Sequence, residues 1–180
     1  LMRSSAASDV YKRQSLYIYE ISPEMIQGKK GTICSGYWEL TPETGLVEGK
    51  LPVATSAYFD RMFYYAVGNK IYRADLTRST PRSYEIYAHP DPSVRITRLK
   101  FRSQREDRWD ISGGDEVEAI PYDFVSYLGG VAEYPDGNCS MLEMKLTAAG
   151  EIDKEEGTKD LMVYEFKGFK NVVDFVYAFK

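Results

Sequence analysis

The sequence predicts an all-β fold built from antiparallel four-stranded repeats, and three observations support this. β-Favouring residues alternate with polar ones along most of the chain, and no segment shows the periodicity of an amphipathic helix. Tyrosine, which packs well on a pleated sheet, occurs 15 times in 180 residues. Turn-forming residues separate the alternating runs. We expect a partial β-propeller of about three to four incomplete blades, with a β-sandwich as the alternative.

Residues 62–76 predict a first β-hairpin. Apolar residues alternate as far as Val67, and a second run begins at Ile71. Between the runs stand Gly68 and Asn69, which both tolerate the positive φ angles of a tight hairpin turn. The segment therefore predicts two paired strands.

Residues 129–150 predict a second hairpin. Pro135 presets φ for a turn, and Gly137 accepts the left-handed position that follows. Beyond the turn, Leu142 and Met144 alternate with charged neighbours, as in a strand with one dry face and one wet face.

The two hairpins resemble copies of one unit. Residues 71–77 align with 141–147 at an offset of 70, and residues 84–86 align with 164–166 at an offset of 80. Radial repetition of such four-stranded units is the architecture of a propeller. Each copy is followed by a further predicted strand, and two more precede the first copy: 94–101, 171–179, 15–21 and 30–40.

Residues 1–14 are interpreted as an artefactual, disordered leader. Back-translation of residues 4–14 matches a transposase-based sequencing adapter in one continuous frame. The segment has no apolar run of about 7–15 residues, so it does not fit a signal peptide. We expect a truncated chain in which residues 15–180 form the partial propeller.

Composition limits the partners. The chain has 28% charged residues of both signs and a net charge of −4, which argues against nucleic acid or an anionic membrane surface. It has no run of 18 apolar residues and therefore no predicted transmembrane segment. Cys34 and Cys139 are far apart and form no CxxC motif, so we expect no metal site or cofactor, and two free thiols rather than a disulfide.

Residues 103–123 are the most distinctive insertion. They combine several acidic residues with aromatic and basic ones, but they lack the spacing of a calcium loop. One interpretation is a solvated excursion at the rim of the sheets. The functional alternative is a ligand-facing loop, because binding residues concentrate on long loops held by rigid scaffolds. In that alternative Trp109 and Tyr122 stack on the ligand while Arg105 and Arg108 donate hydrogen bonds to it.

No catalytic residues are predicted. His89 is the sole histidine, and its position before Pro90 indicates a turn residue between units. A catalytic histidine needs a nucleophile and an orienting partner, and no G-x-S-x-G motif accompanies it. Phosphate-loop and dinucleotide-binding motifs are also absent from the sequence.

The first hairpin and the C-terminal segment carry a family resemblance. The positions that carry it are Tyr65, Gly68, Asn69, Ile71, Tyr72 and Asp75, then Gly168, Phe169, Val173, Asp174 and Tyr177. At these positions the sequence resembles the C-terminal part of the PKD-like family lipoproteins of anaerobic gut bacteria. The resemblance implies a lipid-anchored protein at the cell surface or outer membrane, with PKD-like immunoglobulin modules before a propeller-like region and a place beside a nutrient transporter. It implies no catalytic residues.

These observations lead to one expected function and two alternatives. We expect a non-catalytic surface binding module for an extracellular glycan or protein, serving glycan or nutrient uptake. A propeller glycosidase or lyase is the first alternative, and it requires acidic residues that converge in a cleft. The second is a structural partner of an outer-membrane transporter, whose aromatic residues form a protein interface.

Overall fold

The computed structural model confirms the all-β prediction. It describes residues 15–20, 36–41, 44–46, 56–59, 61–106, 109–110, 118–119 and 123–177. In this part of the chain all strand pairs are antiparallel and no α-helix occurs. The leader 1–14 lies outside these residues, and so does Cys34. The described residues include no helix that is long and apolar enough to cross a membrane.

The described strands form two four-stranded sheets and two smaller pairs. The strand bounds are β1 Leu16–Glu20, β2 Gly36–Leu40, β3 Ser56–Phe59, β4 Met62–Val67, β5 Lys70–Asp75, β6 Ser83–Ala88, β7 Arg95–Glu106, β8 Trp109–Asp110, β9 Glu118–Ala119, β10 Asp123–Glu133, β11 Asn138–Leu146 and β12 Val163–Lys170. The first sheet has the order β3-β4-β5-β6, and the second has the order β7-β10-β11-β12. The small pairs are β1 with β2 and β8 with β9.

Both predicted hairpins are present. In the first, Val67 pairs with Lys70 across a two-residue turn, and Gly68 has a φ of 59°. In the second, the amide of Tyr134 donates to the carbonyl of Asn138 at 2.9 Å, and Gly137 has a φ of 80°. Glycine adopts these angles without the steric penalty that a side chain brings, which explains why the turns form at these positions.

The aligned repeats occupy the same places in their sheets. β5 and β11, which contain most of the first aligned pair of segments, are each the third strand of a sheet, and β6 and β12 are each the fourth. Each sheet is thus an antiparallel meander whose strands follow chain order. Two stacked meanders are compatible with two propeller blades and also with a β-sandwich.

A shared hydrophobic core joins the two sheets. Ile71 of the first sheet packs in one cluster with Leu99, Leu128 and Leu142 of the second. A separate cluster on the opposite face of the first sheet includes Leu40 of β2. The alternation along β4 divides its tyrosines between the two clusters, with Tyr64 in the first and Tyr65 in the second.

The prediction of a strand at 171–179 is wrong for the residues that are described. Residues 171–177 pair with no strand and instead cross a face of the second sheet. Nε of Arg98 donates to the carbonyl of Val173 at 2.6 Å, and Lys100 pairs with Asp174 at 2.9 Å. Side chains of β7 therefore bind the backbone carbonyl of Val173 and the carboxylate of Asp174.

The insertion 103–123 belongs in part to the second sheet. β7 continues to Glu106, which pairs with Asp123 at the start of β10. The predicted excursion is thus the far end of a long hairpin. The short strands β8 and β9 pair there, with Trp109 opposite Ala119.

Candidate functional site

The four predicted ligand-binding residues lie at the end of the β7–β10 hairpin. Arg105 is in β7, opposite Phe124, and Trp109 is in β8. Arg108 and Tyr122 lie outside the described residues. The arrangement of these four side chains therefore stays a prediction.

A different site appears where the edge of the first sheet meets the segment after β11. A groove with a volume of about 490 Å³ runs between β5 and β6 on one side and residues 151–161 on the other. We call it the arginine groove. Its polar lining includes Arg73, Arg78, Arg82, Tyr84, Glu151 and Lys154.

Hydrogen bonds hold the segment that forms the far wall. The amide of Asp153 donates to the carbonyl of Lys145 at 2.8 Å, and the amide of Lys145 donates to the carbonyl of Met162 at 3.1 Å. Lys154 also forms a β-bridge with Leu161. The segment thus folds back on itself beside the end of β11, and its backbone gives the groove a defined wall.

Tyr64 fastens the start of this wall to the first sheet. Its buried hydroxyl donates to the carbonyl of Gly150 at 2.9 Å. Burial raises the pKa of Tyr64 to about 12, although the charge of Arg73 opposes the shift. The phenol therefore stays protonated and remains a donor at neutral pH.

Arg73 forms the floor of the groove. It lies opposite Tyr84 in the strand register, and only 12% of its side chain is exposed. One terminal nitrogen donates to the carbonyl of Ala149, and the other lies 3.7 Å from Oε1 of Glu151. Its Nε is buried and has no hydrogen-bond partner in the described structure. Arg73 thus joins the sheet to the opposite wall.

Two carboxylates that line the groove already accept hydrogen bonds or ion pairs from other residues of the protein. Asp75 accepts bonds from the hydroxyl and the amide of Thr77 at 2.6 and 2.9 Å, and these bonds lower the pKa of Asp75. Glu85 forms an ion pair of 2.7 Å with Lys70, which stands outside the lining. The charge of Glu85 is therefore paired with Lys70, whereas Asp75 stays ionised and has only neutral hydrogen-bond donors.

Three cations that line the groove have no ion-pair partner among the described residues. The exposed side chains of Arg78, Arg82 and Lys154 make no hydrogen bond or ion pair with any other described residue. The charge of Arg78 acts on Asp75 only at longer range. Two guanidinium groups and one ammonium group are thus free to meet a ligand.

Aromatic and apolar surface completes the lining. Tyr84 is 52% exposed and presents a ring beside the cations, and Ile86 and Leu161 add aliphatic surface. A flat ring with planar hydrogen-bond donors nearby suits a ring-shaped polar ligand. Among the residues that the structure describes, no cluster of histidine, cysteine and carboxylate side chains could hold a metal.

The sequence does not predict this site, because its two walls are far apart in the chain. The pattern around Tyr84 indicates only the repeat to which residues 84–86 belong. A local signal does exist, since Arg78 and Arg82 bracket the short connection between β5 and β6. Nothing in the sequence places that connection beside residues 151–161.

His89 has the structural role that its position predicts. It is buried, and its Nδ1 accepts the amide hydrogen of Asp91 at 3.1 Å within the turn. Its ring packs edge-on against Tyr87 and Tyr134. Nε2 lies 3.8 Å from Oε1 of Glu165, beyond hydrogen-bond distance. The residue therefore packs between the end of β6 and Tyr134, which follows β10, with Glu165 of β12 nearby.

The carboxylate of Glu165, next to His89, accepts hydrogen bonds from two side chains. Its Oε1 accepts the hydroxyl of Tyr134 at 3.0 Å, and the hydroxyl of Ser140 also bonds to the carboxylate. Partial burial acts to raise the pKa of Glu165, but the two hydrogen bonds and the charge of Lys167 lower it below its usual value. The carboxylate is thus held in its ionised form.

Comparisons with known proteins identified no relative of this chain. Protein-family models, curated proteins and solved structures returned no match to this chain. The resemblance to the PKD-like lipoproteins accordingly stays a prediction.

Proposed function

We propose that the protein is a non-catalytic binding module for an extracellular glycan, and that the arginine groove is the binding site. The observation that carries the proposal is the exposed ring of Tyr84 beside Arg78 and Arg82, whose donors have no partner among the described residues. The volume of about 490 Å³ lies in the range of ligand pockets, about 300–1,000 Å³.

The fold supports this proposal by providing a fixed base for the groove. Strands β5 and β6 carry Arg73 and Tyr84 at opposite positions of a packed sheet. Binding sites built on strands are better positioned than sites on loops alone. The proposal includes the partial propeller that the repeats predict as the scaffold and, as the location, the cell surface that the family resemblance implies.

Binding to immobilised polysaccharides tests the proposal. Stacking on an aromatic ring contributes about 0.5–1.5 kcal/mol, so we expect Tyr84→Ala to weaken binding about three- to tenfold. Tyr164→Ala is the matched control, because Tyr164 is 44% exposed and lies outside the groove. Equal binding by the two variants contradicts the proposal. Release of reducing sugar by the wild-type protein contradicts its non-catalytic part.

A protein partner is the second candidate, and a separate surface favours it. Three aromatic side chains of β12 are exposed: Tyr164 at 44%, Phe166 at 52% and Phe169 at 42%. Aromatic residues are enriched at protein interfaces. Copurification with an outer-membrane transporter, lost in Phe166→Ser and unaffected by Tyr84→Ala, supports this candidate, and loss in both variants argues against it.

A further inference from the structure

We infer that the arginine groove selects acidic glycans, which carry carboxylate or sulfate groups, over neutral ones. The inference rests on the proposed function, since it names the class of glycan that the same groove binds. It follows from the charges of the groove and from the geometry of its cations.

The charge of the groove is opposite to that of the whole chain. Four cationic side chains line it against three carboxylates, while the chain has a net charge of −4. One of these carboxylates, Glu85, is paired with Lys70, and a second, Glu151, faces Arg73 at 3.7 Å. The third, Asp75, keeps its negative charge, because Thr77 binds it only through neutral donors. The three cations without an ion pair, Arg78, Arg82 and Lys154, therefore stand against this one carboxylate and leave the groove net positive.

The type of cation favours an oxyanion as the ligand group. Arginine presents a planar fork of donors that matches a carboxylate or sulfate in two parallel hydrogen bonds. A neutral sugar hydroxyl accepts only an ordinary hydrogen bond from the same fork, which contributes less. Two arginines four positions apart, at 78 and 82, thus give the site a preference for negative charge.

Tyr84 distinguishes a glycan from an isolated anion. Its exposed ring offers an apolar face next to the arginines, and Leu161, which is 37% exposed, extends that surface. A free inorganic ion has no apolar surface that could pack against this ring. A sugar ring that bears an acidic substituent uses both parts of the groove at once.

Calorimetry with matched oligosaccharides tests the inference. Galacturonic acid oligosaccharides are compared with their methyl esters, which keep the backbone and lose the charge. A sulfated oligosaccharide is compared with its desulfated form, so that the two sources of negative charge are separated. We expect at least one acidic form to bind about tenfold or more tightly than its neutral counterpart. That ratio of affinities corresponds to the contribution of one charge-assisted pair of hydrogen bonds. Raised salt reduces that ratio.

A double variant assigns the preference to the groove. We expect Arg78→Gln with Arg82→Gln to abolish the preference for the acidic form and to leave weak binding of the neutral form. Arg95→Gln is the control, since Arg95 is 70% exposed on β7 and lies outside the groove. A preference that persists in the double variant overturns the inference.

The remaining outcomes separate the inference from the proposed function. Equal binding of acidic and neutral forms overturns the inference and leaves the proposed function standing. Absence of binding both to these oligosaccharides and to the immobilised polysaccharides overturns the inference and the proposed function. Binding of poly-glutamate as tight as that of the best oligosaccharide, lost in the same double variant, also overturns both, because the groove then takes acidic peptides.

Discussion

The Nε2 atom of His89 lies 3.8 Å from Oε1 of Glu165, at the point where the end of the first sheet meets the fourth strand of the second. Tyr134 and Ser140 bind the same carboxylate. The ionised carboxylate of Glu165, on β12, therefore binds Tyr134 and Ser140 and lies close to His89, which follows the last strand of the first sheet. Its charge should affect how firmly the sheets hold together.

We expect Glu165→Gln to change how stability depends on pH. The folded-state pKa of Glu165 is lowered, so its contribution is present above the unfolded value and is lost as pH falls through the folded value. The stability difference between the wild type and the variant should shrink as the pH falls from the usual glutamate pKa of 4.5 through the lower folded-state pKa. Urea unfolding at each pH measures it. A difference that stays constant with pH contradicts the role given to the carboxylate.

We expect Tyr64→Phe to destabilise the protein and to weaken binding in the groove. The variant leaves the carbonyl of Gly150 without its donor, which costs about 1–2 kcal/mol for a buried hydrogen bond. The wall of the groove then loses its fastening to the first sheet. Urea unfolding measures the stability, and calorimetry the binding. Tyr84→Phe is the control, because its exposed ring is retained and its stability should be unchanged.

We expect Gly129→Ala to displace the segment 171–177. A Cβ at Gly129 would collide with the hydroxyl of Tyr177 and would lie 3.0 Å from the ring of Phe175. The cost should be about 1–3 kcal/mol, as for other overpacked sites. Gly130→Ala is the matched control, since its nearest neighbours lie at 3.4 and 3.5 Å, which is ordinary contact. Limited proteolysis at the C-terminal segment should increase in the first variant only.

Local patterns predict the hairpins well. The alternation of apolar residues and the positive φ of Gly68 and Gly137 are properties of a few neighbouring residues, so the sequence displays them directly. The repeat alignment also places corresponding strands at the same positions in the two sheets. These features need no knowledge of distant contacts.

Features that depend on distant contacts escape the same reasoning. Residues 171–177 have the composition of a strand, yet Arg98 and Lys100 bind their polar groups and the segment lies flat on the sheet. The arginine groove is a second case, because it forms only when the connection after β5 meets residues 151–161. A pattern within one segment contains no information about which distant segment will face it.

The arginine groove and the end of the β7–β10 hairpin are the two places where a glycan could bind, and we propose the groove. A crystal structure of the protein with the tightest-binding oligosaccharide distinguishes the two places. We expect a sugar ring against Tyr84, with an acidic group within hydrogen-bond distance of Arg78 or Arg82. A sugar ring stacked on Trp109, with the groove empty, rules the groove out.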